Sequence, residues 1–239
     1  NLVDFGNRRG HRHHGLFGGL LIEPRGSTWS DPVTGQPITT GASAVIRWTD
    51  ANVVPQVRRE FVADFQDGLR LEDAAGNVIP APALVDDPYE QGMKAINYRT
   101  ERFAPRLAFD PVVANVFSST VHGDPATPVF RAYTGDPVWL RLLMGGDRGR
   151  AHSFVLHGHE WRHHRNDPLS VLRSTQDGVM PGMAFTFELV GGAGGRQQAD
   201  GDYLFRDGNM IGQVNAGLWG ILRVFPSTAT PQATGILRL

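Results

Sequence analysis

Apolar residues along this chain fall in short runs that alternate with polar ones, and each run is closed by turn-forming residues. Ala44–Trp48 reads AVIRW and Arg59–Phe65 reads REFVADF. In Pro137–Met144 (PVWLRLLM), Val138, Leu140 and Leu142 stand on one side and Trp139, Arg141 and Leu143 on the other. A period of two puts one side of an extended strand into a core and turns the other outward. Ser153–Leu156, Ala184–Val190, Tyr203–Arg206 and Leu218–Phe225 read as strands in the same way. So do Asn115–Val121, Pro128–Tyr133 and a short Leu69–Leu71, the last set between turns at Asp67-Gly68 and Gly76-Asn77. One short helix is predicted near Val171–Thr175. The connections Gly26–Pro37, Asp73–Glu90, Gly145–Arg150 and Gly191–Gly201 are rich in Gly, Pro and Asp. Many short strands with turn signals between them predict an all-β sandwich or barrel.

Composition narrows the function classes. The 239 residues suffice for one large or two small domains with a real core. A formal net charge of -1 offers no footprint for nucleic acid or a membrane surface. No apolar run approaches the roughly 18 residues that span a bilayer. There is no cysteine, which excludes disulfides, thiolate catalysis and every Cys-ligated metal. The chain opens on Asn-Leu-Val-Asp rather than Met and shows no leader peptide, so an upstream part is expected to be removed or missing. Lys94 is the only lysine, which reads as genome composition.

The most informative feature is an internal repeat. Gly6–Pro24 reads GNRRGHRHHGLFGGLLIEP and Gly208–Pro226 reads GNMIGQVNAGLWGILRVFP. Gly6, Asn7, Gly10, Gly15, Leu16, Gly18, Leu20 and Pro24 meet identical residues at a constant offset of 208 − 6 = 202. Four of these eight are glycines, which recur where the backbone needs positive φ or close approach. The expectation is that residues 1–25 are the C-terminal strand of a preceding domain, that residues 38–226 form a complete second one, and that residues 227–239 are a tail.

These segments resemble the multicopper oxidase family. GLFGGLLIEP and GLWGILRVF are similar to the closing strand of its cupredoxin domains. Ala151–Trp161 (AHSFVLHGHEW) resembles the family's HPFHLHGHxF strand, and Gly135–Leu142 (GDPVWLRL) the strand before it. Gly201–Gly208 (GDYLFRDG) resembles the Gly-x-Trp-x-Tyr-His-Cys-His segment. The resemblance covers about the last hundred residues and the first two dozen, and it implies a cupredoxin-like Greek-key β-sandwich. By the same resemblance His152 stands at a type 1 (blue) copper ligand and His157 at a trinuclear-cluster ligand. Val155 replaces another cluster histidine, and His159 lies outside the usual set. The His-Cys-His positions hold Arg206, Asp207 and Gly208, and in the first copy Asp4, Phe5 and Gly6. The later blue-copper histidine falls near Gly212 or Gln213, and near Gly10 or His11 in the first copy. The axial position falls at Leu218 and Leu16. A blue copper site needs a thiolate, so none is expected in this chain.

The candidate metal ligands are therefore His157, His159, His152, His11 and His13. His157 and His159 lie two apart on a predicted strand and would share a face, a half-site for copper or zinc. His11 and His13 alternate in the same way, with His14 pointing elsewhere. The bland reading of both sets is packing, hydrogen bonding or a solvated loop. His163 and His164 read as a surface turn and His122 as structural. No nucleophile elbow, phosphate loop or dinucleotide fingerprint is present. Two functions are carried forward. One is a segment or subunit of a multicopper oxidase that oxidises a phenolic or metal-ion substrate and reduces dioxygen, completed by other cupredoxin domains or chains. The other is a cupredoxin-derived scaffold or metal-binding domain with no redox activity of its own. Family habit implies an extracellular or periplasmic location.

Overall fold

The computed structural model describes residues 1–4, 6–7, 11, 14–69, 72–80, 93–145 and 151–239. Its strands are β1 (Leu2–Val3), β2 (Phe17–Gly18), β3 (Thr28–Ser30), β4 (Ser43–Thr49), β5 (Pro55–Leu69), β6 (Met93–Ile96), β7 (Val129–Tyr133) and β8 (Val138–Met144). They continue as β9 (His152–Leu156), β10 (Trp161–Arg162), β11 (Leu172–Arg173), β12 (Thr175–Val179), β13 (Ala184–Glu188), β14 (Gly201–Asp207) and β15 (Trp219–Phe225). One sheet runs β12-β9-β14-β15-β7. The other runs β13-β8-β5-β4-β3, with β6 also paired to β5. The pairs β5/β8 and β7/β15 are parallel and the remaining ladders antiparallel. The chain thus crosses between the sheets, and the molecule is an all-β Greek-key sandwich.

The alternation seen in the sequence explains the core. On β8 Leu140 and Leu142 are buried while Trp139 and Arg141 stay partly exposed. Phe61, Phe65, Leu140 and Phe187 from one sheet meet Phe130, Phe154, Phe205 and Leu222 from the other in one cluster. Stacked rings join the layers: Phe61 on Phe130 at 4.8 Å and Phe154 on Phe187 at 5.2 Å. Each such side chain contributes roughly 1.5–3 kcal/mol by leaving water.

Two expectations about elements are overturned. Asn115–Val121 is not a strand: a 3₁₀ turn covers Val113–Asn115 and a short helix, α2, covers Ser119–His122, after an earlier helix α1 (Phe103–Phe109). Asn115 donates to the Asp110 carboxylate at 2.7 Å, closing the turn, and Phe117 packs edge-on against Trp219 at 5.0 Å. Burial of that ring overrides the strand propensity of the run. Val171–Thr175 is not a helix: β11 pairs with β10, and Thr175 opens β12 against Val155 of β9. Five residues are too few to sustain a helix against such pairing. Leu69 ends β5, and the rest of the expected Leu69–Leu71 strand lies outside the described residues, as do parts of the Asp73–Glu90 and Gly145–Arg150 connections.

The N-terminal arm folds back on itself through β1 and β2 and lies on the six-stranded sheet. Phe17 stacks on Tyr98 at 5.5 Å, and the Tyr98 hydroxyl donates to the carbonyls of Gly15 and Phe17 at 2.8 and 2.9 Å. Tyr98 is aimed there by a tight turn in which Asn97 and Tyr98 both take positive φ, 52° and 63°. The loop before β2 repeats backbone bonds of the loop before β15. His14 N–H donates to His11 O, and Ala216 N–H to Gln213 O. Leu16 N–H donates to His11 O, and Leu218 N–H to Gln213 O. Phe17 N–H donates to Gly15 O, and Trp219 N–H to Gly217 O. All three pairs keep the 202-residue offset, and Gly15 and Gly217 both have positive φ. The adjoining ladders differ by one residue: Leu2 pairs with Gly18, whereas Leu204 pairs with Ile221.

Candidate functional site

The residues around His152 form a closed chain of charges between the two sheets. His152 opens β9, Asp207 ends β14, Asp67 lies near the end of β5 and Lys94 lies on β6. The β5/β6 ladder shifts register between Gln66 and Leu69, beside Asp67. The His152 ring meets Asp207 through Nδ1 at 2.8 Å and Asp67 through Nε2 at 3.1 Å. Lys94 Nζ donates to the other oxygen of Asp67, and the Asn209 N–H donates to the other oxygen of Asp207 at 2.8 Å. All four side chains are buried. An ionised carboxylate only accepts, so both ring nitrogens carry hydrogen and the ring is an imidazolium. Two negative charges then meet two positive ones. Burial works against a charged ring, but the bonds and charges of Asp207 and Asp67 outweigh it and push its pKa up to about 9. Burial alone would raise the Asp67 carboxyl, and the His152 hydrogen bond with the Lys94 charge instead holds it below its ordinary value.

This arrangement does not fit a type 1 copper. A metal takes a lone pair from an imidazole nitrogen, and here both nitrogens hold protons facing carboxylates. The residues that the resemblance sets at the thiolate and axial places are Asp207, held here by His152, and Leu218, a buried apolar side chain. The structure places His152, expected as a metal ligand, at the centre of an ion-pair network.

The structure places His157 and His159 on either side of a turn. β9 stops at Leu156, and Gly158 follows in a turn with φ +69°. The turn breaks the period of two that would have put both rings on one face. The buried His159 ring donates from Nδ1 to the His157 carbonyl at 3.0 Å, and its Nε2 accepts the Gly194 N–H at 3.0 Å. Burial keeps it neutral by lowering its pKa. The His157 ring is exposed, and its Nε2 accepts from Arg206 Nε at 3.1 Å. Partial burial and the Arg206 charge lower the His157 pKa. A guanidinium at that nitrogen repels a metal cation.

In the first copy His11 pairs with the carboxylate of Asp4, which also accepts the Gly6 N–H at 3.1 Å. Asp4 N–H donates to Leu16 O as Asp207 N–H donates to Leu218 O. An aspartate carboxylate thus holds a histidine in each copy: Asp4 holds His11, and Asp207 holds His152. His13 lies outside the described residues. His163 and His164 stand side by side on an exposed turn, ring centres 4.3 Å apart. His122 ends α2, with its ring edge-on to Phe109. Among the described residues no group of three or more His, Asp or Glu side chains is arranged to hold a metal ion, and no helix is long and apolar enough to cross a membrane.

No protein-family model matches the chain, and no curated protein matches it. Solved structures with a similar course include copper proteins. A copper nitrite reductase from Nitrosomonas europaea aligns with TM-score 0.40 and 13% identity over 72% of this chain and 42% of that one. A multicopper oxidase aligns with TM-score 0.40 and 12% identity over 80% of this chain and 61% of the other. A multi-copper oxidase from Pseudomonas thermotolerans aligns with TM-score 0.39 and 16% identity over 72% and 30%. The chain spans less than two thirds of the length of these proteins. At such likeness nothing about its activity follows from theirs.

A second buried network ties the arm to the body. Glu23 accepts from Arg58 and, at 2.5 Å, from Arg141. Arg141 and Arg58 also reach Glu60, and Arg58 lies 3.6 Å over the Trp139 ring. Burial raises the Glu60 pKa against the pull of Arg141. A cavity of about 480 Å³ opens beside His159, walled by Glu160 and Arg196. Both nitrogens of His159 are already bonded, and Glu160 pairs with Arg196 at 3.0 Å. Sequence reasoning named His152 but missed Asp67, Lys94 and the role of Asp207. One signal was available. Every other cationic side chain among the 23 Lys and Arg is an arginine, so the single lysine marks a place that takes a compact point charge.

Proposed function

We propose that this chain is a structural segment of a larger multi-domain protein of the multicopper oxidase type. Residues 1–25 would close one cupredoxin unit and residues 38–226 form the next, which acts as a scaffold and binds no copper of its own. The observation that carries this reading is the closed Asp207–His152–Asp67–Lys94 network at the place of a type 1 site. It supplies the two-sheet cross-link that a metal would otherwise supply, and it leaves no ligand lone pair. The repeated backbone bonds of the two loops support the two-unit organisation. Oxidation of a phenolic or metal-ion substrate with dioxygen would belong to other cupredoxin units of the protein, outside the cytoplasm. The test is copper and zinc per chain by elemental analysis, on the 239-residue chain and on the protein isolated with its natural partners. The expected result is no bound metal on this chain, before or after incubation with copper. Stoichiometric copper on the chain that disappears in His152→Ala or His157→Ala overturns the scaffold reading.

A further inference from the structure

The internal repeat says what the bare face of the N-terminal arm is for. Beyond β2 the burial of the arm's residues alternates from Leu20 to Pro24. Glu23 turns inward to Arg58 and Arg141, with its side chain 3% exposed. Leu20 and Ile22 turn outward and are 65% and 82% exposed, with Leu16 close behind at 55%. Each has a counterpart 202 residues later: Leu218 for Leu16, Leu222 for Leu20 and Val224 for Ile22. Those three are 0%, 0% and 2% exposed. Leu218, Leu222 and Val224 face the sandwich core, and β15 lies between β14 and the parallel β7. The glycines agree. A Cβ on Gly220 would meet the Phe205 ring and come within 2.7 Å of the Pro128 carbonyl, so its own sandwich requires glycine there. A Cβ on Gly18, the counterpart, would meet nothing within 4 Å.

We infer that Leu16, Leu20 and Ile22 are an interaction surface for the body of a second cupredoxin-type sandwich, with residues 19–24 becoming a strand by parallel pairing to it. The occupant is specified by the counterpart: a β7-like strand running parallel to the arm, and an aromatic core like Phe130 and Phe205 beneath it. The arm then belongs to two units at once. Its inward residues are held by the Arg58–Arg141–Glu60 network and by Tyr98, and its outward residues by the partner's core. The arm is a shared strand rather than a linker, so the two units are fixed rather than hinged. This inference rests on the two-unit reading above and is independent of whether either unit binds metal.

The test is amide hydrogen exchange on residues 19–24 in two forms: the 239-residue chain, and the protein as its gene encodes it with whatever precedes Asn1. A β15-like strand should exchange about 100-fold more slowly in the longer form. Ile22→Asp should abolish that protection and lower the melting temperature of the upstream part. It should leave the 239-residue chain's own melting temperature unchanged, because Ile22 is exposed there. Equally fast exchange in both forms overturns the inference, as does a native chain that begins at Asn1 and stays monomeric. Protection in the short chain that rises with protein concentration also overturns it, since the occupant is then a second copy. Metal content separates this outcome from failure of the scaffold reading. Copper on the chain with a protected arm refutes only the scaffold; a metal-free chain with an unprotected arm refutes only the shared strand.

Discussion

The charge network predicts a specific loss of stability in mild alkali. In the folded protein His152 holds its proton up to about 9, against an ordinary value of 6.5. A group with a raised folded pKa contributes stability that is complete below the unfolded value and disappears as pH rises through the folded one. At about 1.4 kcal/mol for each tenfold change in proton affinity, the rise from 6.5 to about 9 sets the contribution at about 3.5 kcal/mol. The loss therefore runs at about 1.4 kcal/mol per pH unit between pH 7 and 9. His152→Gln removes the titrating proton while keeping a polar side chain between Asp207 and Asp67. Guanidinium unfolding of both proteins at half-unit steps from pH 6 to 10 measures the difference. At pH 6 the variant should be about 3–5 kcal/mol less stable, because two buried carboxylates then face a single ammonium. By pH 9.5 most of that gap should have closed. Titrating groups outside the network act on both proteins and cancel in the difference; Asp64, pushed up to about 7 by burial, is one of them. Parallel stability curves would refute the reasoning, as would ring nitrogen shifts of a neutral imidazole for His152 at pH 7.5.

Three further outcomes follow from the same geometry. Lys94→Met leaves the Asp67 carboxylate short of one cation and should cost about 3 kcal/mol by chemical denaturation, with Lys94→Met/Asp67→Leu recovering at least half. His159→Ala leaves the buried Gly194 N–H without an acceptor and removes the edge-on contact with Tyr203; a loss of about 2 kcal/mol with unchanged metal content is expected. Tyr98→Phe keeps the stack on Phe17 but removes the hydroxyl's bonds to Gly15 O and Phe17 O. It should cost about 1 kcal/mol and speed proteolysis in residues 1–18, leaving later cleavage sites unchanged.

The sheet residues were legible because a half-buried strand writes its two faces directly into the chain. Val138, Leu140 and Leu142 are the buried row of β8 as their spacing demands. The repeat was legible because the loop geometry at Gly15 and Gly217 imposes residue identity at fixed offsets. Histidine chemistry was not. His157-Gly158-His159 looks like two rings on one face only if the strand continues, and the turn at Gly158 is decided by how residues 191–195 pack beneath His159. Asn115–Val121 has strand-forming residues, yet Phe117 finds its burial against Trp219, a hundred residues away in the chain.

By itself, then, the sequence determined the class of fold, the position of the duplicated segment and the impossibility of a copper–thiolate centre. Each of these follows from periodicity, from identity at constant spacing or from an absent atom type, and none needs distant residues to be placed. Only the tertiary structure decided what stands in that centre's place. Asp67, Lys94, His152 and Asp207 come from four strands in two sheets. Whether such residues repel, pair or bind a metal depends on separations of about 3 Å in a medium without water, where a charge is tolerated only beside its opposite.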